Sequence, residues 1–242
     1  MARRAQLALS RICRVPGATR PAPTLFHYPG LTARAWHERD DAPFVAWVKQ
    51  LEAATPAITE EYLRLRESGR PSDYAPEESD HGGGLHEGGE WDWQSFIDRG
   101  RVQHDVWQRC PVTAAALSAV PRLCLGSMPF AFAFFSTLRS RSRILAHHSP
   151  CNLRVRVHLP LLVPEPESCG IRVGDEVRRW NPGEALIFDD AFEHEVWNDG
   201  DEDRVVLLFD LWHWELTDTE VESIQAMFDE VDERREARQQ GG

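Results

Sequence analysis

From Phe130 onward the chain breaks into short segments rich in β-branched and aromatic residues, at 130–138, 154–163, 169–173, 176–180, 185–190, 194–198 and 204–213, with turn residues between them. Strands this short and this closely spaced bury an apolar face by packing one antiparallel sheet on another. The pattern therefore predicts a mainly β fold of the sandwich or jelly-roll kind. Gly174-Asp175 suits a two-residue hairpin loop, and Asn181-Pro182-Gly183 reads as a turn. Because alternate side chains of a strand share a face, Val155, Val157 and Leu159 form one side and Arg154, Arg156 and His158 the other. The polar set faces either solvent or a polar lumen. Arg204 shares a face with Val206 and Leu208 inside the apolar run 205–211. A cation so placed needs an anionic partner, because an unpaired buried charge is costly. That partner is either a bound carboxylate or one of Asp189, Asp190 and Asp210.

The β segment has helices on both sides. Asp41 is placed to cap a helix carrying Phe44, Trp47, Val48 and Leu51, and Thr55-Pro56 restarts it toward Ile58, Tyr62 and Leu65. A short helix follows from Pro111 to Val120, so residues 41–121 form a helical part ahead of a β core at 128–216. A capping box, Thr217-x-x-Glu220, opens a last helix over 217–238, with Val221, Ile224, Phe228 and Val231 along one side to pack on the sheet. A length of 242 residues with no repeat and no linker predicts one domain, over 24–242.

Residues 67–90 are rich in Gly, Pro, Ser and acids and read as a loop. Its His81 and His86, beside Glu77, Glu78 and Asp80, could be assembled into a metal site only at a large cost in ordering entropy, so a solvated loop is the expectation. The net charge of −12 disfavours binding to nucleic-acid phosphates or anionic membrane surfaces. The longest apolar run, Met128 to Phe135, is far shorter than the roughly 20 residues a membrane-spanning helix needs. Residues 1–23 carry five of the six arginines found before the first acid, Glu38, and read as a basic surface arm or a targeting segment. Five cysteines without a close CxxC pair signal neither a disulfide framework nor a zinc knuckle, which fits a reducing compartment, cytoplasmic or organellar.

His147 and His194 flank this strand set, and neutral imidazole is the usual protein ligand for iron, zinc or copper. His148 competes for the first position. The stretch His147-x-x-Pro150-x-Asn152-x-Arg154-x-Arg156-x-His158-Leu159, with Ile187-Phe188-Asp189-Asp190-x-Phe192-Glu193-His194-Glu195-Val196-Trp197-Asn198, resembles the catalytic domain of the aspartyl/asparaginyl β-hydroxylases. Arg204 stands ten residues after His194, and Asp210-x-Trp212-His213-x-Glu215-Leu216 closes the pattern. Leu85-x-x-Gly88-x-x-Trp91, Cys110-Pro111-x-Thr113 and Phe135-Ser136 extend the likeness upstream, so it spans residues 24 to about 230.

The resemblance implies a double-stranded β-helix, a cupin-like jelly roll, in which His147 and His194 bind Fe(II). It implies that Arg204 and Ser136 hold the distal carboxylate of 2-oxoglutarate, with Arg156 and His158 near its metal-binding end or the substrate. The implied reaction is O2-dependent hydroxylation of an Asp or Asn side chain of a peptide or protein, coupled to conversion of 2-oxoglutarate to succinate and CO2. The same chemistry on a small molecule or lipid is a second reading. A catalytically silent β-barrel binding module is a third, against which the joint presence of His147, His194, Arg204 and Ser136 argues.

In many two-His iron sites a carboxylate sits two residues after the first His; here that position is Ser149. Water is expected in its place, the alternative being Asp189 or Asp190 folding back. Two positions depart from the family. Arg139-Ser140-Arg141-Ser142-Arg143 replaces a Pro-Gly turn, which points either to an anionic substrate or to a solvated loop. Trp214 stands where a Pro is usual, a change expected to affect packing.

Overall fold

The computed structural model describes residues 20–74, 86–87 and 90–240. The arm at 1–19, the His81 loop with its acids and the Leu85 and Gly88 positions lie outside the described residues. The core is eight strands: β5 (Ala133–Leu138), β6 (Ser142–His147), β7 (Arg154–Leu162), β8 (Cys169–Val173), β9 (Glu176–Arg178), β10 (Leu186–Phe188), β11 (His194–Asn198) and β12 (Arg204–Trp212). Three short upstream strands, β1 (Trp36–His37), β2 (His86–Glu87) and β4 (Arg101–Val102), and the eight-residue β3 (Trp91–Asp98) extend the sheets at their edges, so the part expected to be helical over 41–121 also supplies strands.

One sheet has the order β1-β10-β7-β12-β5-β3-β4 and the other β2-β6-β11-β8-β9, with every pairing antiparallel. The chain crosses between the sheets at each step from β5 to β8 and again from β9 to β12. That winding is a double-stranded β-helix, the jelly roll expected from the strand spacing.

Alternation in β7 and β12 sorts the side chains between two cores. Val155, Val157, Leu159, Val205, Leu207, Phe209 and Leu211 pack outward against the helices α1 (Val45–Ala53) and α2 (Thr55–Glu67). Phe134, Leu138, Ile144, Ile171, Phe188, Val196, Val206 and Leu208 fill the space between the sheets. Two further helices, α3 (His104–Arg109) and α4 (Pro111–Ser118), close the outer layer. The buried Glu61 of α2 caps α4, accepting from the N–H of Val112 and Thr113 at 2.8 Å each and from the Thr113 hydroxyl at 2.7 Å.

Asp41 does not cap α1 with its side chain: the carboxylate accepts from the Glu38 N–H and Arg34, and its carbonyl accepts from Phe44 and Val45. It shapes the turn that precedes the helix. The capping box is reciprocal, with Thr217 N–H to Glu220 at 2.9 Å and Glu220 N–H to Thr217 Oγ1 at 3.2 Å. The helix it opens, α5 (Asp218–Gln240), packs through Ile224 in a cluster with Tyr28, Met128 and Trp212 of β12, separate from the two larger cores. At 23 residues it is about 34 Å long, so it outruns that platform and Val231 is left exposed.

Candidate active site

Strand register lays out the inner floor of the first sheet in rows. Arg204 lies beside Leu138, which neighbours Trp91; Val206 lies beside Ser136, which neighbours Trp93. Leu208 is flanked by Phe134 and His158, and Asp210 by Arg156, with Phe188 and Trp36 beyond. Arg154 stands opposite Trp212. The floor therefore runs from Arg204 at one end, through His158, to a cluster of charges at the other.

The second sheet places His147, the last residue of β6, directly opposite His194, the first of β11, with ring centroids 4.1 Å apart. His147 Nδ1 lies 2.7 Å from the Leu145 carbonyl and His194 Nδ1 lies 3.0 Å from that of Phe192. A carbonyl only accepts, so each Nδ1 carries the proton and each Nε2 keeps its lone pair, the tautomer a metal requires. Burial holds both imidazoles below their usual range, and for His194 the neighbouring His147 adds to it. His148 points its Nδ1 to the Ala191 carbonyl at 3.0 Å and is not the register partner of His194.

Both acids near the pair are engaged elsewhere. Asp190 accepts from Arg154 at 2.7 Å and from Arg156 at 3.1 Å, and Arg156 also bonds Asp210 at 2.9 and 3.1 Å. Arg154 completes this buried foursome with a second bond to Asp210. Burial opposes ionisation of Asp190, but Arg154 and Arg156 outweigh it and hold the carboxyl well below the usual range. One oxygen of Asp190, Oδ1, is buried with no hydrogen-bond partner. Asp189 shapes the turn, its Oδ1 accepting from the Ala191 N–H at 2.9 Å, and burial pushes its pKa up to about 8. The Ser149 hydroxyl donates to the Cys151 carbonyl at 2.6 Å. Among the described residues no group of three or more His, Cys, Asp and Glu forms a metal cage.

Arg204 is different. The acids that might have paired with it belong to Arg154, Arg156 and the Asp189 turn. Its Nη1 lies 3.3 Å from the Ser136 carbonyl and 3.5 Å from the Ser136 hydroxyl, and its Nε has no partner. Its guanidinium lies over the Trp180 ring at 4.7 Å, and burial pushes its pKa down to about 10. Ser136 Oγ also accepts from the Trp91 indole at 2.9 Å. His158 is buried with neither ring nitrogen partnered, held neutral by burial and then by Arg204 and Arg156. The indole N–H groups of Trp36, Trp93 and Trp180 are likewise buried without partners.

Residues 52–214 match the family model for "Aspartyl/Asparaginyl beta-hydroxylase". The chain belongs to that family. It is 31% identical over 207 residues to the aspartyl/asparaginyl beta-hydroxylase of Mus musculus, covering 84% of this chain and 26% of that protein. It is 40% identical over 122 residues to the ornithine lipid ester-linked acyl 2-hydroxylase of Rhizobium tropici, covering 49% and 41%. Aspartate beta-hydroxylase domain-containing protein 2 of Homo sapiens is 34% identical over 143 residues, covering 58% and 38%. The chain thus spans a quarter to two-fifths of the length of these relatives.

Two sequence expectations for this hydroxylase-family chain are settled by contacts. Each arginine of the basic run at 139–143 is paired with an acid. Arg139 pairs with Asp92 at 2.6 Å and Asp203 at 2.9 Å, Arg141 with Asp201 at 2.6 Å and Arg143 with Asp199 at 2.7 Å. It also lies at the opposite end of β6 from His147. Trp214 packs against His37, Phe44 and His213, a role in packing as expected. Sequence reasoning passed over Trp180, an aromatic at the edge of a turn-rich stretch where burial is rarely read. No helix among the described residues is long and apolar enough to cross a membrane.

Proposed function

We propose that this chain is an Fe(II)- and 2-oxoglutarate-dependent oxygenase, its catalytic domain spanning 24–242, that hydroxylates an Asp or Asn side chain of a peptide or protein. The observation that carries the reading is Arg204, a buried cation with no carboxylate partner among the described residues, at the far end of a lumen that opposes His147 to His194.

His147 and His194 would hold the iron through Nε2, since both Nδ1 protons are spent on carbonyls. Arg204 offers a planar fork to the distal carboxylate of 2-oxoglutarate, and the Ser136 hydroxyl adds a further donor. His158, midway along the floor, is a neutral group with a ring N–H free for the co-substrate or the substrate. Arg156 stands at the metal end and fixes Asp190. Asp190 is held by Arg154 and Arg156, and the position two residues after His147 is Ser149, which brings no acid to the pair. Phe134, Leu208, Phe188 and Val196 keep the lumen apolar between these groups and exclude bulk water. Bound together, iron and 2-oxoglutarate supply an oxidant from O2, with release of succinate and CO2.

The same machinery acting on an acyl chain is a second reading, favoured by the 40% identity to the Rhizobium tropici lipid hydroxylase. Mass spectrometry of Asp/Asn peptides and of acyl lipids, each scored for gain of one oxygen, separates the two.

Anaerobic addition of Fe(II) and 2-oxoglutarate should give a weak visible charge-transfer band that needs both components. His147→Ala or His194→Ala should abolish the band and succinate formation while the circular dichroism stays native. A wild-type protein that gives no band and no succinate would sink the oxygenase reading.

A further inference from the structure

Three arginines are buried around the lumen, and the way each is held differs. Arg154 and Arg156 are held by carboxylates, with their donors spent on Asp190 and Asp210. Arg204 is held by an aromatic ring and a neutral residue: its guanidinium carbon is 4.7 Å from the centroid of Trp180, and its Nη1 donates to the Ser136 carbonyl at 3.3 Å and hydroxyl at 3.5 Å. Trp180 is fully buried, and its ring also stacks alongside His158 at 6.1 Å with planes 23° apart. One plank thus backs both groups assigned to the co-substrate.

The chain fixes that plank from either side. Arg179, the preceding residue, donates through Nη1 to the carbonyls of Pro166 at 3.0 Å and Cys169 at 2.8 Å. The following turn closes with the Glu184 N–H on the Asn181 carbonyl at 3.0 Å, with Gly183 at φ +79°. The Trp180 N–H has no partner, so packing alone sets the ring's place.

We propose that Trp180 is a positioning residue for the dicarboxylate co-substrate, holding the Arg204 guanidinium by a contact that leaves its charge uncancelled. This rests on the oxygenase reading above. An acid at this place would fix the guanidinium equally well but would take up its donors, and an incoming carboxylate would have to displace it. The π face attracts the cation without neutralising it and without using a single N–H. Arg204 therefore stays oriented and electrostatically unsatisfied until the co-substrate arrives, which is preorganisation of a binding site.

The test is calorimetric titration of 2-oxoglutarate into Mn(II)-loaded wild type, Trp180→Phe and Trp180→Leu, alongside steady-state kinetics with Fe(II). Loss of the ring in Trp180→Leu should weaken 2-oxoglutarate about tenfold, between the sizes of an exposed and a desolvated cation–π contact, with Trp180→Phe between it and wild type. The KM for 2-oxoglutarate should rise more than kcat falls, and Mn(II) affinity should be unchanged. Unchanged 2-oxoglutarate affinity in both variants overturns the proposal, as does Mn(II) affinity falling in step, which would mean a general collapse of the lumen. If Trp180→Leu fails to fold, Trp180→Phe decides alone, since the smaller ring keeps most of the packing. A wild type that binds no 2-oxoglutarate removes the oxygenase reading itself, whereas a binding wild type with indifferent variants removes only the role of Trp180.

Discussion

A buried guanidinium without a counter-ion is a cost to the empty protein, and that makes Arg204 the most informative single residue. Its neighbours are a serine, an indole face and apolar side chains, so folding strips it of water and returns little. Arg204→Met keeps much of the shape and removes the charge. The unliganded variant should be as stable as wild type or more stable, by roughly 1–3 kcal/mol. It should also lose the stabilisation that 2-oxoglutarate adds to the Mn(II)-loaded wild type, since ligand binding raises stability only where the ligand binds. Urea unfolding with and without the ligands checks both halves. A variant strongly destabilised when empty would mean that Arg204 is structural. From sequence, Arg204 had two possible fates, because which of Asp189, Asp190 and Asp210 meets which arginine depends on register and the depth of the β10–β11 turn. Alternation alone put Arg154, Arg156 and His158 on one face and left open whether that face met solvent or a lumen; nor did it show the pairing of the first two with acids.

Elements were legible where their local pattern agreed with their environment. The Gly174-Asp175 hairpin and the Thr217 capping box carry their geometry in two to four residues, and both formed as read. Strand β6 was missed because Arg139 to Arg143 hides its start in charge, and the pairing that makes it a strand comes from β11 and β2, far away in sequence. Yet it delivers His147. The β10–β11 turn delivers His194, and there Asp189 gives a pH signature. Its pKa rises from 3.8 to about 8 through burial, so the folded state holds a proton that the unfolded chain releases above about pH 4. Stability from this group is therefore greatest below the unfolded pKa, declines as pH rises from about 4 to 8 by at most about 1.4 kcal/mol per unit, and levels off above. Asp189→Asn keeps the bond from the Ala191 N–H and cannot ionise. The variant should gain stability relative to wild type on going from about pH 5 to pH 8. Parallel pH profiles for the two proteins would show that Asp189 is ionised in the fold.

At the scale of the whole molecule, both histidine-bearing segments lie at one end of the barrel, where strand pairing runs out and something else has to hold them. Two structures do so. The Arg154, Arg156, Asp190 and Asp210 foursome ties β7 and β12 to the turn before His194. On the outside, residues 22–28 run as a strap across the loops: Ala22 N–H donates to the Ala191 carbonyl at 2.8 Å, Thr24 to Ser149 at 3.0 Å and Phe26 to Pro150 at 2.8 Å. Tyr28 then exchanges backbone bonds with the Asn152 side chain at 2.7 and 2.9 Å, and its hydroxyl reaches Glu220 of α5 at 2.8 Å. The packed chain accordingly includes Ala22, slightly earlier than the boundary at 24 expected from the sequence. A strap that bonds to the residues just after His147 and just before His194 should govern whether the two imidazoles stay opposed. Removing residues 1–19 leaves every one of these contacts in place, so Mn(II) and 2-oxoglutarate affinity should be unchanged. Removing residues 1–29 takes away the strap, and metal affinity should fall even if the barrel stays folded, because the segment after His147 is then tied to the Asp190 turn only by the Ser149 N–H on the Asp190 carbonyl at 2.9 Å and the His148 ring on that of Ala191 at 3.0 Å. Calorimetric Mn(II) titration of the two truncations, with circular dichroism to confirm the β content, distinguishes them. Equal metal affinity in both would show that strand register alone opposes His147 to His194 and that the strap is a passive cover.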